Sequence, residues 1–221
     1  MTETDTSSAA LPGAESAPAA EAAHVVGAPV LVVVDIQGGS GQSAPGEGGI
    51  PIMGGRAERA PRQLALVTAA RAAGVPVVFI QEVHKASLVD IGRELDGEEG
   101  PHCIEGDDGT ALAEWLLPLP EEFLIRKRRY SAFFGTELEI VLKAYKAETL
   151  ILIGGLTDVC IHYTAVDAHQ HDYRVRVVQD AVGGSSERAH TAALEAVRYL
   201  QRDALVDTRD VIAYFEEKIP A

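Results

Sequence analysis

From residue 28 onward the chain alternates two apolar patterns. APVLVVVD (28–35), VPVVFIQ (75–81), EFLIRK (122–127), TLILIGG (149–155), RVRVVQD (174–180) and ALVD (204–207) are short runs, most of them almost wholly apolar. Runs of this length fit strands buried on both faces. Helical periodicity fills the gaps. PRQLALVTAARAAG (61–74) has Pro in its first turn and Gly at its end, and TALAEWLL (110–117) reads as a short helix. TELEIVLKAYK (136–146) opens on Thr136 with Glu139 three residues later, the spacing of a capping box. Further helices are predicted over 157–171, 186–202 and about 208–218. A Gly-rich loop runs from Gly38 to Gly55, and residues 82–108, charged and without long pattern, predict a long functional loop. Strands alternating with helices predict an α/β fold: a three-layer, Rossmann-like, six-stranded parallel sheet with helices on both faces.

The first 25 residues lack any periodicity and are rich in Ala, Ser, Pro and Glu. Such a segment cannot bury enough surface to offset its ordering entropy, so a disordered tail over 1–25 and a single domain over 26–221 are expected. The tail lacks the basic start and apolar stretch of a secretory signal. The formal net charge is -14, which argues against nucleic acid or anionic membrane as a partner. Two cysteines far apart, Cys103 and Cys160, suit a reducing cytoplasm better than a disulfide framework.

In a parallel sheet the ligand sits beyond the carboxyl ends of the strands. By that rule Asp35, Gln81 to His84, Lys127, Gly154 to Cys160 and Asp180 share one edge. Asp35 and Lys127 bring an acid and a cation to the same edge as the Cys160 thiol. A cysteine near a helix N-terminus feels the positive end of the macrodipole, and Thr157 is placed to cap that helix. An arbitrary cysteine is more often a small buried hydrophobe, a lone aspartate a turn residue, and a basic run such as RKRR (126–129) a solvated surface. Here Asp35 precedes a Gly-rich loop instead of a helix, and Lys127 ends a strand before YSAFFGT.

Three stretches in order, LVVVDIQ (31–37), IRKRRYSAFFGTELE (125–139) and GGLTDVCIHYTAVDA (154–168), resemble the isochorismatase-like cysteine hydrolases, a superfamily that includes nicotinamidases, N-carbamoylsarcosine amidase and biuret, triuret and ureidoacrylate hydrolases. The resemblance runs from about residue 28 to the end. It implies a catalytic triad of Asp35, Lys127 and Cys160, a cis peptide at Gly155–Leu156, and an oxyanion hole made by the Leu156 and Cys160 N–H groups. It implies a cysteine amidohydrolase that cleaves a C–N bond of a small amide, carbamoyl or ureido compound through a thioester. True isochorismatases lack this cysteine. The alternatives are a nicotinamidase-like metal-assisted amidase and a non-catalytic small-molecule-binding member of the fold. A cytoplasmic homo-oligomer, dimer or tetramer, is expected from the same resemblance.

Nicotinamidases bind a metal through Asp-x-His, a later His and the His of WPxHC. This chain has Glu82-x-His84, Asp90 in place of the later His, and His102 in GPHC (100–103). Relatives acting on ureides generally need no metal, so no cofactor is expected and a divalent ion is the alternative. Gln37, Glu82, His84, His102 and Phe134 are the residues expected to bind substrate or metal, and Cys103 is expected to be structural. Ser40 stands where many members carry an aromatic pocket wall; Phe133, Phe134 and Tyr163 are the substitutes available. A dinucleotide site is disfavoured, since neither GxGxxG nor GxxxxGKS/T fits GGSGQSAPGEGG.

Overall fold

The computed structural model describes residues 23–40 and 49–219. The tail expected over 1–25 lies outside the described residues as far as position 22. Ala23 and Val25 are described and pack into the core, so the domain begins before residue 26.

Six strands form one sheet: β1 (Pro29–Val34), β2 (Val77–Glu82), β3 (Phe123–Lys127), β4 (Thr149–Gly155), β5 (Arg174–Gly183) and β6 (Leu205–Val206). Their order is β3-β2-β1-β4-β5-β6, and every pairing is parallel. The order reverses between β1 and β4, so their carboxyl ends flank the crevice of a doubly wound sheet. Alternate residues of β1 serve opposite faces. Leu31 and Val33 pack with Phe79 and Ile151 under α1 (Arg56–Ala72) and α5 (Thr208–Glu217). Val30, Val32 and Val34 pack with Ile80 and Leu150 under α2 (Leu138–Ala144), α3 (His162–Gln170) and α4 (Glu187–Leu200).

Four local expectations are corrected. Helix α1 begins five residues before Pro61, because Arg56 to Ala60 are mostly good helix formers; Pro61 sits inside the helix and forfeits one backbone bond. The helix expected over 110–117 does not form: Thr110 ends a three-residue 3-10 turn and 111–117 are not helical. Their backbone is drawn to the loop after β1: Gly38 N–H donates to the Ala111 carbonyl at 3.0 Å and Ala113 N–H to the Ile36 carbonyl at 3.0 Å. No capping box forms at Thr136. Its Oγ1 accepts the Leu138 N–H at 3.1 Å, and Glu139 pairs instead with Lys143. Thr157 does not cap its helix either. The chain leaves β4 through a π-helical turn, Thr157–Ile161, and Thr157 Oγ1 lies 2.9 Å from His190 Nδ1.

Candidate active site

Strand register brings the first pair of charges together. β2 and β3 run parallel with Glu82 opposite Lys127, so both side chains rise from the same sheet edge. Asp35 follows β1 directly, at φ 49, a left-handed value that aspartate tolerates. The turn after β4 supplies Cys160. Lys127 is fully buried and its Nζ is the hub of the group. Asp35 Oδ2 lies 2.9 Å away, Cys160 Sγ 3.3 Å, and Glu82 Oε2 accepts a hydrogen bond from the same ammonium. Glu82 Oε2 is also 3.5 Å from the Cys160 sulfur. The expected three-residue constellation is therefore a group of four, with Glu82 in contact with both the cation and the thiol. The signal in the sequence was position: Glu82 ends β2 as Lys127 ends β3.

Gln37 braces this group. Its amide nitrogen donates to the Glu82 carbonyl at 2.9 Å and the Thr110 carbonyl at 2.7 Å. The Glu82 N–H donates to Asp35 Oδ1 at 2.9 Å and to Gln37 Oε1 at 3.1 Å. Asp35 is thereby held from two sides, by an ammonium and a backbone amide.

Burial sets the protonation states. Desolvation raises the Asp35 carboxyl to about 6, against the pull of Lys127. For Lys127, burial works against the charge but is outweighed by Asp35, Cys160 and Glu82, which hold the ammonium protonated. Burial pushes the Cys160 thiol well up, and Asp35 and Glu82 add to this against Lys127. The lowered thiol pKa expected from the helix start is thus not found. Cys160 is held as a neutral thiol, which would need a neighbouring base before it could act as a nucleophile.

A cavity of about 630 Å³ opens on this group, lined by Asp35, Glu82 and Cys160 together with Gly155, Leu156 and Val159. The peptide Gly155–Leu156 is cis. Phe134 does not line the cavity; it is 66% exposed, and Tyr130, stacked on Tyr163 with ring centroids 5.7 Å apart, supplies the aromatic wall instead. Phe133 stacks on His171 and Tyr173 away from the cavity lining. Ser40 hydrogen-bonds Asp108 at 2.9 Å. Cys103 is half-buried beside Gln37, and burial lifts its thiol far above the ordinary range.

The other oxygen of Glu82 enters a second buried cluster with His84, Glu94 and His102. His84 Nε2 and His102 Nε2 lie 3.2 and 3.0 Å from Glu82 Oε1, and 3.4 and 3.5 Å from Glu94 Oε2. Four donors bound at zinc distances in a tetrahedron stand about 3.3 Å apart. His102 Nδ1 is 2.7 Å from the Gly100 carbonyl, the contact that fixes a ring with Nε2 free to ligate. Glu94 Oε1 is buried without a hydrogen-bond partner, while Oε2 faces the two rings at ion-pair distance. Without an ion, burial disfavours a charged His102, yet Glu82 and Glu94 raise it to about 10. Two imidazolium groups against two carboxylates would balance charge equally well; the partnerless Glu94 Oε1 favours an ion. Asp90 is not part of this set: it accepts the Lys85 N–H at 2.8 Å and pairs with Arg128 at 2.8 Å.

The Isochorismatase domain family model matches residues 20–210. The chain belongs to the isochorismatase family. Ureidoacrylate amidohydrolase RutB of Yersinia enterocolitica is 33% identical over 131 residues, 52% of this chain and 57% of that protein. Maleamate amidohydrolase of Pseudomonas putida is 38% identical over 91 residues, 41% of this chain and 43% of that protein. The chain thus spans about half the length of these curated relatives. The pyrazinamidase/nicotinamidase structure of Streptococcus mutans UA159 is 28% identical with a TM-score of 0.68, over 81% of this chain and 100% of that one. In this isochorismatase-family chain Glu94, which sequence reasoning missed, takes the place assigned to Asp90. It lies in a charged loop with no regular pattern, so only the fold could bring it to His84 and His102.

Proposed function

We propose that the protein is a cysteine amidohydrolase acting on a small amide, carbamoyl or ureido compound. The observation that carries this reading is the fully buried Lys127 ammonium, 2.9 Å from Asp35 and 3.3 Å from the Cys160 sulfur, at a cavity wall. Asp35 takes the thiol proton as sulfur attacks the carbonyl carbon, and Lys127 stabilises the charges that form. The Leu156 and Cys160 N–H groups receive the oxyanion. Asp35 returns its proton to the departing nitrogen, the C–N bond breaks, and ammonia or an amine leaves a thioester on Cys160. Water, deprotonated by Asp35, hydrolyses the thioester and regenerates the thiol. The names of the amidohydrolase relatives support this chemistry.

The test is ammonia release from a panel including maleamate, ureidoacrylate, nicotinamide and biuret. Cys160→Ala is expected to lower kcat/KM by more than about 10⁴-fold on any substrate turned over. Activity that survives this substitution rules the nucleophile out. The pH dependence has a defined sign. Asp35 must be ionised to accept a proton, and its carboxyl stands at about 6. Initial-rate pH profiles should show kcat/KM level above that value and falling tenfold per unit below it.

The Glu82–His84–Glu94–His102 cluster favours a second reading, a metal-assisted amidase with the same nucleophile. These four residues would hold a zinc-like ion, which when bound would supply Lewis acidity beside the cavity. Glu94→Gln tests this without touching the Lys127 group. Calorimetry on chelator-treated protein should give zinc binding that this variant weakens by at least about 100-fold. Binding unaltered by the substitution would dismiss the site.

A further inference from the structure

We propose that the substrate carries a carboxylate and that Arg56 is the residue that binds it, an inference that rests on the amidohydrolase reading above. The cavity is lined by five carboxylates, and four of them are already engaged. Asp35 and Glu82 share Lys127. Glu99 accepts the Tyr130 hydroxyl at 2.9 Å, and Asp108 accepts the Ser40 hydroxyl at 2.9 Å and its N–H at 3.4 Å. Asp107 is exposed at the rim. Among the described lining residues Arg56 is the one Arg or Lys, and it forms no ion pair with any described residue.

Its guanidinium is nevertheless held in place. Nη2 donates to the Gln37 carbonyl at 2.5 Å, and the head lies against Gly38, where a Cβ would collide with it. One donor of five is spent on that carbonyl, which leaves a planar fork of the kind that matches a carboxylate. Arg56 is also the first residue of α1, where the helix macrodipole disfavours a cation and favours an anion. A carboxylate bound there would relieve the first effect and gain from the second.

Arg56 and Cys160 line one cavity, and the Gln37 carbonyl ties the guanidinium to the segment that follows Asp35. An anion on Arg56 therefore shares the space in which a carbonyl would meet Cys160. Ile50, Ile52, Leu156 and Val159 line the same cavity and suit a hydrocarbon spacer. The class is an amide or ureide acid, with its carboxylate at one end and the scissile C–N bond at the other.

Maleamate and maleamide differ only in carboxylate against carboxamide, so initial rates of ammonia release from the two isolate the charge. The native protein is expected to prefer maleamate by about 10- to 100-fold in kcat/KM, the range for a charge-assisted bidentate contact. Arg56→Gln should collapse that preference, with the loss falling on KM, and Arg56→Lys should restore part of it. A native protein indifferent to the charge, a preference that persists in Arg56→Gln, or equal loss on both compounds would overturn the assignment. Calorimetry of maleamate on Cys160→Ala, with and without Arg56→Gln, separates the two claims. If no amide is turned over, maleamate binding that weakens with Arg56→Gln keeps the anion site while the amidohydrolase reading falls. Binding indifferent to Arg56→Gln removes the anion site whatever the activity.

Discussion

Lys127→Met is expected to abolish turnover and destabilise the fold together. Lys127 is fully buried and its ammonium faces two carboxylates, Asp35 and Glu82, that are themselves almost wholly enclosed. A methionine fills a similar volume but leaves Asp35 without its cation and Glu82 with only the His84 and His102 rings. Removing one partner of a buried ion pair costs about 3–5 kcal/mol, because the remaining charge is uncompensated. Urea unfolding should show that loss directly. Chemistry suffers for a separate reason. Without the cation the Asp35 carboxyl, already raised to about 6, rises further and takes up the proton it should be free to accept. A fall in kcat/KM of about 10³-fold or more is expected for the folded fraction. The two effects can be separated. Adding Asp35→Asn to Lys127→Met removes the orphaned charge, so the double variant should regain stability without regaining activity. A Lys127→Met protein as stable and as active as the native chain would contradict the ion-pair geometry.

Gly154→Ala should damage the site through the backbone alone. Gly154 adopts φ 115, and it pairs with Val34 across β1 and β4. A Cβ there would run into the Val34 carbonyl oxygen, which is main chain and cannot swing aside. Either β1 and β4 part or Gly154 changes conformation. Both outcomes move Asp35, the residue after Val34, and the turn that carries Cys160. A loss of roughly 3–5 kcal/mol is expected, a fall in Tm on the order of 10 °C for a domain of this size. Gly54→Ala is the control, since a Cβ there meets nothing within 4 Å, and it should stay within about 0.5 kcal/mol. Thermal melts of the two variants read the difference. The glycine before the cysteine motif is required by close backbone approach, whatever the substrate.

Some of this was legible along the chain and some was not. The strands were, because a run such as VLVVV has no other economical fold than burial on both faces, and their shared carboxyl edge placed Asp35, Lys127 and Cys160 together. Helix limits were harder. Pro61 reads as a first-turn residue, yet the helix formers before it carry α1 back to Arg56. TALAEWLL has helical spacing, but its backbone bonds the loop after β1, a partner that local sequence does not reveal. The site followed the same division. Residues at strand ends were readable; Glu94 and Arg56, brought in by a charged loop and a helix start, were not. The thiol shows the limit of local reasoning most clearly. A helix start argues for a lowered pKa, but complete burial beside Asp35 and Glu82 drives it the other way.

In the proposed reaction Cys160 forms a covalent bond to the carbonyl carbon during turnover. Intact-mass spectrometry after rapid acid quench, with whichever panel compound releases ammonia fastest, reads this directly. A mass increase equal to the substrate's acyl group less one hydrogen is expected, mapped to the Cys160 peptide, removed by hydroxylamine and absent in Cys160→Ala. Ammonia release from Cys160→Ala at the native rate, with no adduct on the native protein, would contradict it.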